Sequence, residues 1–93
     1  MAADRVDRIR AALQRALTPD LLEIEDESRH HVGHAGAATG HVHFAVRIVS
    51  NVFEGVSLLK RHRLVYEALG ELMQTDIHAL SIRAQTPGEA KKA

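Results

Sequence analysis

The chain has no cysteine and no tryptophan. Without thiols it forms no disulfide, closes no thiolate metal site by itself and performs no thiol redox chemistry. Any thiolate near it must belong to a partner. Aromatic residues are limited to Phe44, Phe53 and Tyr66. That excludes the row of stacking rings by which proteins hold single-stranded bases, and leaves Leu, Val, Ile and Ala to build the core. An excess of either charge is also missing: 12 Lys and Arg balance 12 Asp and Glu. The whole surface therefore has no polyanion-attracting field, although a local patch stays open. No apolar run approaches membrane-spanning length, and Met1-Ala-Ala-Asp4 is not the start of a secretory signal. The expectation is a cytoplasmic protein. Ninety-three residues, 45% of them hydrophobic and 26% charged, fit one folded domain. We expect it over residues 1–88, with a short tail at 89–93.

Histidine is what the chain has instead. Five of seven fall within fourteen residues: His30, His31, His34, His41 and His43. His78 opens a later apolar run, and His62 sits between two arginines. Imidazole is the borderline metal ligand left to a chain without thiols, and it titrates near neutral pH. The bland reading is a solvated, glycine-rich loop, with His78 bonded to a nearby carbonyl. No HExxH or other closed zinc pattern is present.

The hydrophobic pattern places these residues. Val6, Ile9, Leu13, Ala16 and Leu17 follow helical spacing over residues 4–17. Residues 21–28 alternate, with Leu22 and Ile24 opposed to Glu23, Glu25 and Glu27, as in a half-buried strand. Three glycines mark residues 30–40 as a loop, and 41–50 form a second strand with Phe44, Val46 and Ile48 on one face. Ser57 caps a helix predicted to run to about Met73. Its apolar stripe is Leu58, His62, Val65, Leu69 and Leu72. Residues 77–84 alternate as a third strand. Thr86-Pro87-Gly88-Glu89 is a capping sequence, with chain left for only a stub of helix. The order is αββαβ, an α+β fold: a three-stranded mixed sheet with both main helices on one face.

This order has a consequence for the histidines. The second strand, the helix and the third strand form a right-handed crossover, so the two strands run parallel and start at one edge of the sheet. His41 and His43 start one strand and His78 the other. The histidine loop leaves from the same edge. Parity works against a simple meeting, because His78 shares the parity of Leu80 and Ile82 whereas His43 opposes Phe44. From pattern alone, convergence and separation on two faces both stay open.

The residues also resemble a known family. Leu22-Glu23-Ile24-Glu25-Asp26-Glu27-Ser28, His31, His43-Phe44 and Ile48-Val49-Ser50 are similar to BolA-like proteins. So are Phe53-Glu54-Gly55, the block Leu58-Leu59-Lys60-Arg61-His62-Arg63-Leu64-Val65, Ile77-His78-Ala79-Leu80-Ser81-Ile82 and Thr86-Pro87. The resemblance covers about residues 4 to 88. It implies a fold like the class II KH domain. It also implies partnership with a monothiol glutaredoxin, in iron–sulfur trafficking or iron and redox regulation. There a [2Fe–2S] cluster is shared with the glutaredoxin cysteine and glutathione. The isolated chain would hold no cofactor, alone as a monomer or with glutaredoxin as a heterodimer. The ligand implied at the start of the last strand corresponds to His78. A second comes from the loop, where His43 corresponds best and His31 and His34 follow. The cysteine of other members is absent here, so the loop ligand must be histidine or be missing. Neutral imidazole in place of thiolate raises the reduction potential of iron and makes the ligand compete with protons.

BolA-like proteins are also described as DNA-binding transcriptional regulators of stress response and cell morphology. Under that reading Lys60, Arg61 and Arg63, the compact basic run, reach phosphates as positioning contacts. His62 lies on the apolar stripe, and the Gly-x-x-Gly clamp of true KH domains is absent, since residues 53–57 offer only Gly55. Nothing marks an enzyme: there is no nucleophile elbow, phosphate loop or paired-carboxylate site.

Overall fold

Alternating apolar residues become one sheet, and four-spaced ones become the helices laid on it. A computed structural model describes residues 5–27, 43–77 and 79–92. In chain order these form α1 (Arg5–Leu17), β1 (Leu21–Asp26), β2 (His43–Val49), a single 3₁₀ turn (Asn51–Phe53), α2 (Leu58–Leu69), α3 (Leu72–Thr75), β3 (Ala79–Gln85) and α4 (Pro87–Lys92). The strand order is β1-β2-β3, with β1 antiparallel and β3 parallel to the central β2. The mixed sheet and the αββαβ order are those expected from the pattern.

The period-two alternation gives the sheet two unlike faces. Phe44, Val46 and Ile48 of β2 are buried beneath the helices, packed with Ile9, Leu13 and Leu17 of α1 and with Phe53, Val65, Leu69, Ile77 and Ala84. Each of these side chains larger than alanine contributes about 1.5–3 kcal/mol by leaving water. The other face carries His43, Ala45 and Arg47 of β2, flanked by Glu23 and Glu25 of β1 and by Ser81 and Arg83 of β3. Among the described residues no helix covers it.

One end of the sheet is knitted to α1. The Ser50 hydroxyl donates to the Leu17 carbonyl at 2.6 Å and accepts from the Val52 amide at 3.2 Å. The Ser50 amide bonds the Gln85 carbonyl at 3.0 Å, and the Asp20 amide bonds that of Val49 at 2.8 Å. The turn between α1 and β1 passes through Thr18, a β-branched residue in left-handed backbone with φ 39°.

The α2 helix departs from the expected stripe. Ser57 caps it as predicted, accepting from the Lys60 amide at 3.3 Å. Yet the buried series is Arg61, Val65 and Leu69, whereas Leu58 and Leu59 are 66% and 62% exposed. The helix is rotated so that an arginine leads the inward face. It also stops at Leu69 and not near Met73, because Gly70 adopts φ 52° and a separate short turn, α3, follows. The predicted stub at the C-terminus is α4. Its capping box is complete: the Thr86 amide donates to Glu89 Oε1 at 2.9 Å, and the Glu89 amide donates to Thr86 Oγ1 at 3.2 Å. The segment expected as a tail from residue 89 is therefore helical through Lys92.

Candidate functional site

The candidate site begins with the register of β2 and β3. His43 is the first residue of β2 and stands opposite Ala79, the first residue of β3. Parallel pairing thus starts both strands at one edge, as the topology required. His43 is half-buried, shares the open face with Ala45 and Arg47, and backs onto the buried Phe44. His78, His31 and His34, the other expected ligands, lie outside the described residues. Among the described residues no group of three His, Asp or Glu side chains is placed to hold a metal ion.

The approach to β3 is anchored on its helix side. The Asp76 amide bonds the Leu72 carbonyl at 2.9 Å, and the Ile77 amide bonds the same oxygen at 3.0 Å. Ile77 is buried in the core. The Asp76 carboxylate accepts from the Thr75 hydroxyl at 2.6 Å and from the Arg8 guanidinium, with Arg5 Nε 3.8 Å away. The Thr75 hydroxyl first, and then Arg8, hold its pKa below the ordinary carboxylate value. Residues 76 and 77 are thereby tied to α1 and the core, while Ala79 is tied to β2.

The basic run divides in two. Lys60 and Arg63 are exposed on α2, free to meet an anionic partner. Arg61 is not. It is 6% exposed, and its Nε donates to the Val56 carbonyl at 2.8 Å. Its Nη1 donates to the Ala84 carbonyl at 3.1 Å and to Glu89 Oε1 at 2.6 Å, while Nη2 reaches Glu89 Oε2 at 3.2 Å. The guanidinium carbon lies 5.9 Å from the centre of the Phe53 ring. The hydrogen bond to Glu89 raises the Arg61 pKa further, against the effect of burial. The same bond, then the Thr86 amide, draws Glu89 down to about 2. Arg61 is thus withdrawn from the expected set of phosphate contacts. It ties the loop before α2, the end of β3 and α4 together. His62, placed on the apolar stripe by the sequence pattern, is half-buried.

Sequence reasoning found Glu89 as a capping acid and missed it as the partner of Arg61. The signal was present only as an acid one turn into a C-terminal helix, with nothing in the spacing to link it to position 61. It also missed Arg47 and Arg83, which become neighbours only once the β2–β3 register is known.

Comparison with known proteins agrees with this geometry. Residues 13–89 match the family model described as BolA-like protein. The chain is 50% identical over 90 residues to Protein BOLA1, chloroplastic, of Arabidopsis thaliana, covering 94% of this chain and 56% of that protein. It is 40% identical over 80 residues to the DNA-binding transcriptional regulator BolA of Escherichia coli, covering 86% and 73%. The structure of the BolA domain of SufE1 from Arabidopsis thaliana superposes with a TM-score of 0.80 at 47% identity, covering 96% of this chain and 99% of that one. The chain spans little more than half the length of several of its relatives, and 24% of SufE-like protein 1. Sheet order, capping pattern and sequence lead to one assignment: this chain belongs to the BolA-like family.

Proposed function

We propose that this chain is an adaptor that binds a monothiol glutaredoxin and supplies histidine to a shared [2Fe–2S] cluster, with His78 as one ligand and His43 as the second. The observation that carries the reading is the common start of β2 and β3, with His43 in register with Ala79. His78 immediately precedes Ala79 in the sequence. His43 is partly accessible at that edge, and neutral imidazole is a donor that iron accepts beside thiolates. Because the chain has no cysteine, the thiolates come from glutaredoxin and glutathione. The cluster, when bound, supplies one-electron chemistry or is itself the cargo. The role of this chain is to present imidazole nitrogens from a rigid sheet edge. Proton competition at those nitrogens makes the site easier to dismantle in acid.

The test is the visible circular dichroism of the chain mixed with a cluster-loaded monothiol glutaredoxin. The spectrum is expected to change on mixing, and His78→Ala to abolish the change. His43→Ala is expected to weaken it more than His31→Ala or His34→Ala. An unaltered mixed spectrum with His78→Ala removes the ligand assignment.

A second reading is favoured by one comparison, the Escherichia coli relative named as a DNA-binding transcriptional regulator. For this chain that reading now rests on Lys60 and Arg63, since Arg61 is committed to Val56, Ala84 and Glu89. It requires salt-sensitive binding to a duplex that weakens when Lys60 and Arg63 become Ala. Equal binding by the double variant removes it.

A further inference from the structure

The open face of the sheet carries a feature that the cluster-ligand reading does not use. Across the three strands the outward residues align in rows, because paired residues share a face. One row is Glu23, Arg47 and Arg83; the next is Glu25, Ala45 and Ser81. Arg47 and Arg83 are direct partners on parallel strands, about 4.8 Å apart at the backbone. Like charges so placed repel one another and weaken the pairing. Arg47 is answered: its Nη1 lies 3.5 Å from Glu23 Oε1, and its Nε donates to Gln85 Oε1 at 3.2 Å. Its side chain is held in place and is 32% exposed. No acid among the described residues pairs with Arg83, so the row keeps one cation in excess.

Beside this pair the sheet is hollow. Ala45 and Ser81 are small, and together with Glu23, Glu25, Arg47 and Arg83 they line a depression of about 500 Å³. That volume lies within the range of small-molecule sites, about 300–1,000 Å³. Its β2–β3 side offers two guanidinium forks and the Ser81 hydroxyl, the donor set that recognises a carboxylate or phosphate. Its β1 side carries two carboxylates, which repel a polyanion such as a nucleic-acid backbone.

We propose that this depression binds a small free molecule bearing a single carboxylate or phosphate group, clasped between Arg47 and Arg83. The ligand engages the guanidinium of Arg83, with which no acid among the described residues forms an ion pair. Arg83 contributes the larger share of affinity, since Arg47 is already engaged by Glu23 and Gln85. The site stands independently of the histidine edge and of any cluster.

The experiment is amide chemical-shift mapping of the whole chain titrated with sodium acetate and, separately, with inorganic phosphate at constant ionic strength. Saturable shifts are expected at residues 45–47 and 81–83, with a Kd on the order of 1–10 mM for at least one anion. Saturation by acetate alone assigns a carboxylate ligand, and by phosphate alone a phosphate ligand. Arg83→Ala, at an exposed position, should weaken binding about tenfold. Arg83→Lys should recover part of the loss, and the Lys60→Ala, Arg63→Ala double variant should bind as the parent does. Shifts that fail to saturate with either anion overturn the proposal. So does an Arg83→Ala chain that titrates like the parent.

Discussion

Arg61→Ala should cost far more than Arg63→Ala, although the two arginines are two residues apart in one basic run. The substitution deletes donors to two carbonyls, Val56 and Ala84, and both contacts with Glu89. Hydrogen bonds to a charged group contribute about 1.5–3 kcal/mol each, and breaking a buried pair costs about 3–5 kcal/mol. Glu89 is 48% exposed, so its carboxylate regains water when Arg61 is removed, and the lower end of that range applies. A loss of about 3 kcal/mol, at about 4–8 °C per kcal/mol for a domain of this size, lowers Tm by roughly 15 °C. Arg63 is exposed and engages none of these groups, so Arg63→Ala should stay within about 0.5 kcal/mol of the parent. Arg61→Lys keeps the charge and loses the fork, and should fall between the two. Thermal unfolding by far-ultraviolet circular dichroism measures all three. If Arg61→Ala and Arg63→Ala melt within about 3 °C of each other, the claim that Arg61 is a structural tie fails.

Acid should loosen the same tie. The Glu89 pKa is about 2 in the folded chain against an ordinary 4.5. Between these values the unfolded chain binds more protons, so the stabilisation is complete above about pH 4.5 and is lost as pH falls toward 2. Urea unfolding should show the parent losing its advantage over Glu89→Gln across that window, and a pH-independent difference between them contradicts the assignment. Gly55 holds φ 71°, with no atom within 4 Å of where a Cβ would stand. Gly55→Ala should therefore cost only the left-handed backbone term, about 1 kcal/mol, and Gly55→Asn less. Equal melting of glycine and alanine chains would show that the turn relaxes.

The fold was largely legible because the alternation of Leu22 and Ile24, of Phe44, Val46 and Ile48, and of Leu80 and Ile82 survives intact in the sheet. The helix caps were legible for a related reason. Ser57 and Thr86 act within four residues of themselves, so local spacing contains the whole interaction. The α2 face was not legible. A stripe beginning at Leu58 has more hydrophobic residues than one beginning at Arg61, and burial would be expected to follow it. The arginine wins because Val56, Ala84 and Glu89, none of them its neighbour on the helix, supply oxygens that satisfy its guanidinium inside the protein. Of the candidate site, the shared edge of β2 and β3 could be read from topology. The arginine row could not, since position 47 and position 83 become partners only through the register.

The two ends of β3 therefore do different work. At its C-terminal end Ala84, Gln85 and Thr86 are held by Arg61, Ser50 and Glu89. At its N-terminal end Ala79 meets the half-buried His43 at the edge of the sheet. Under the proposed ligand role, an imidazole that reaches a metal held on another protein is not sealed in a core, so rigidity has to come from elsewhere along the strand. The Arg61 tie supplies it at one end, and the Asp76 network with Arg5, Arg8 and Thr75 supplies it on the approach. The separation is measurable: Arg61→Ala should lower Tm while leaving the spectrum of the folded glutaredoxin mixture unchanged at low temperature, and His43→Ala should do the reverse. Should both substitutions move both readouts together, stability and ligand presentation share one set of contacts, and the division fails.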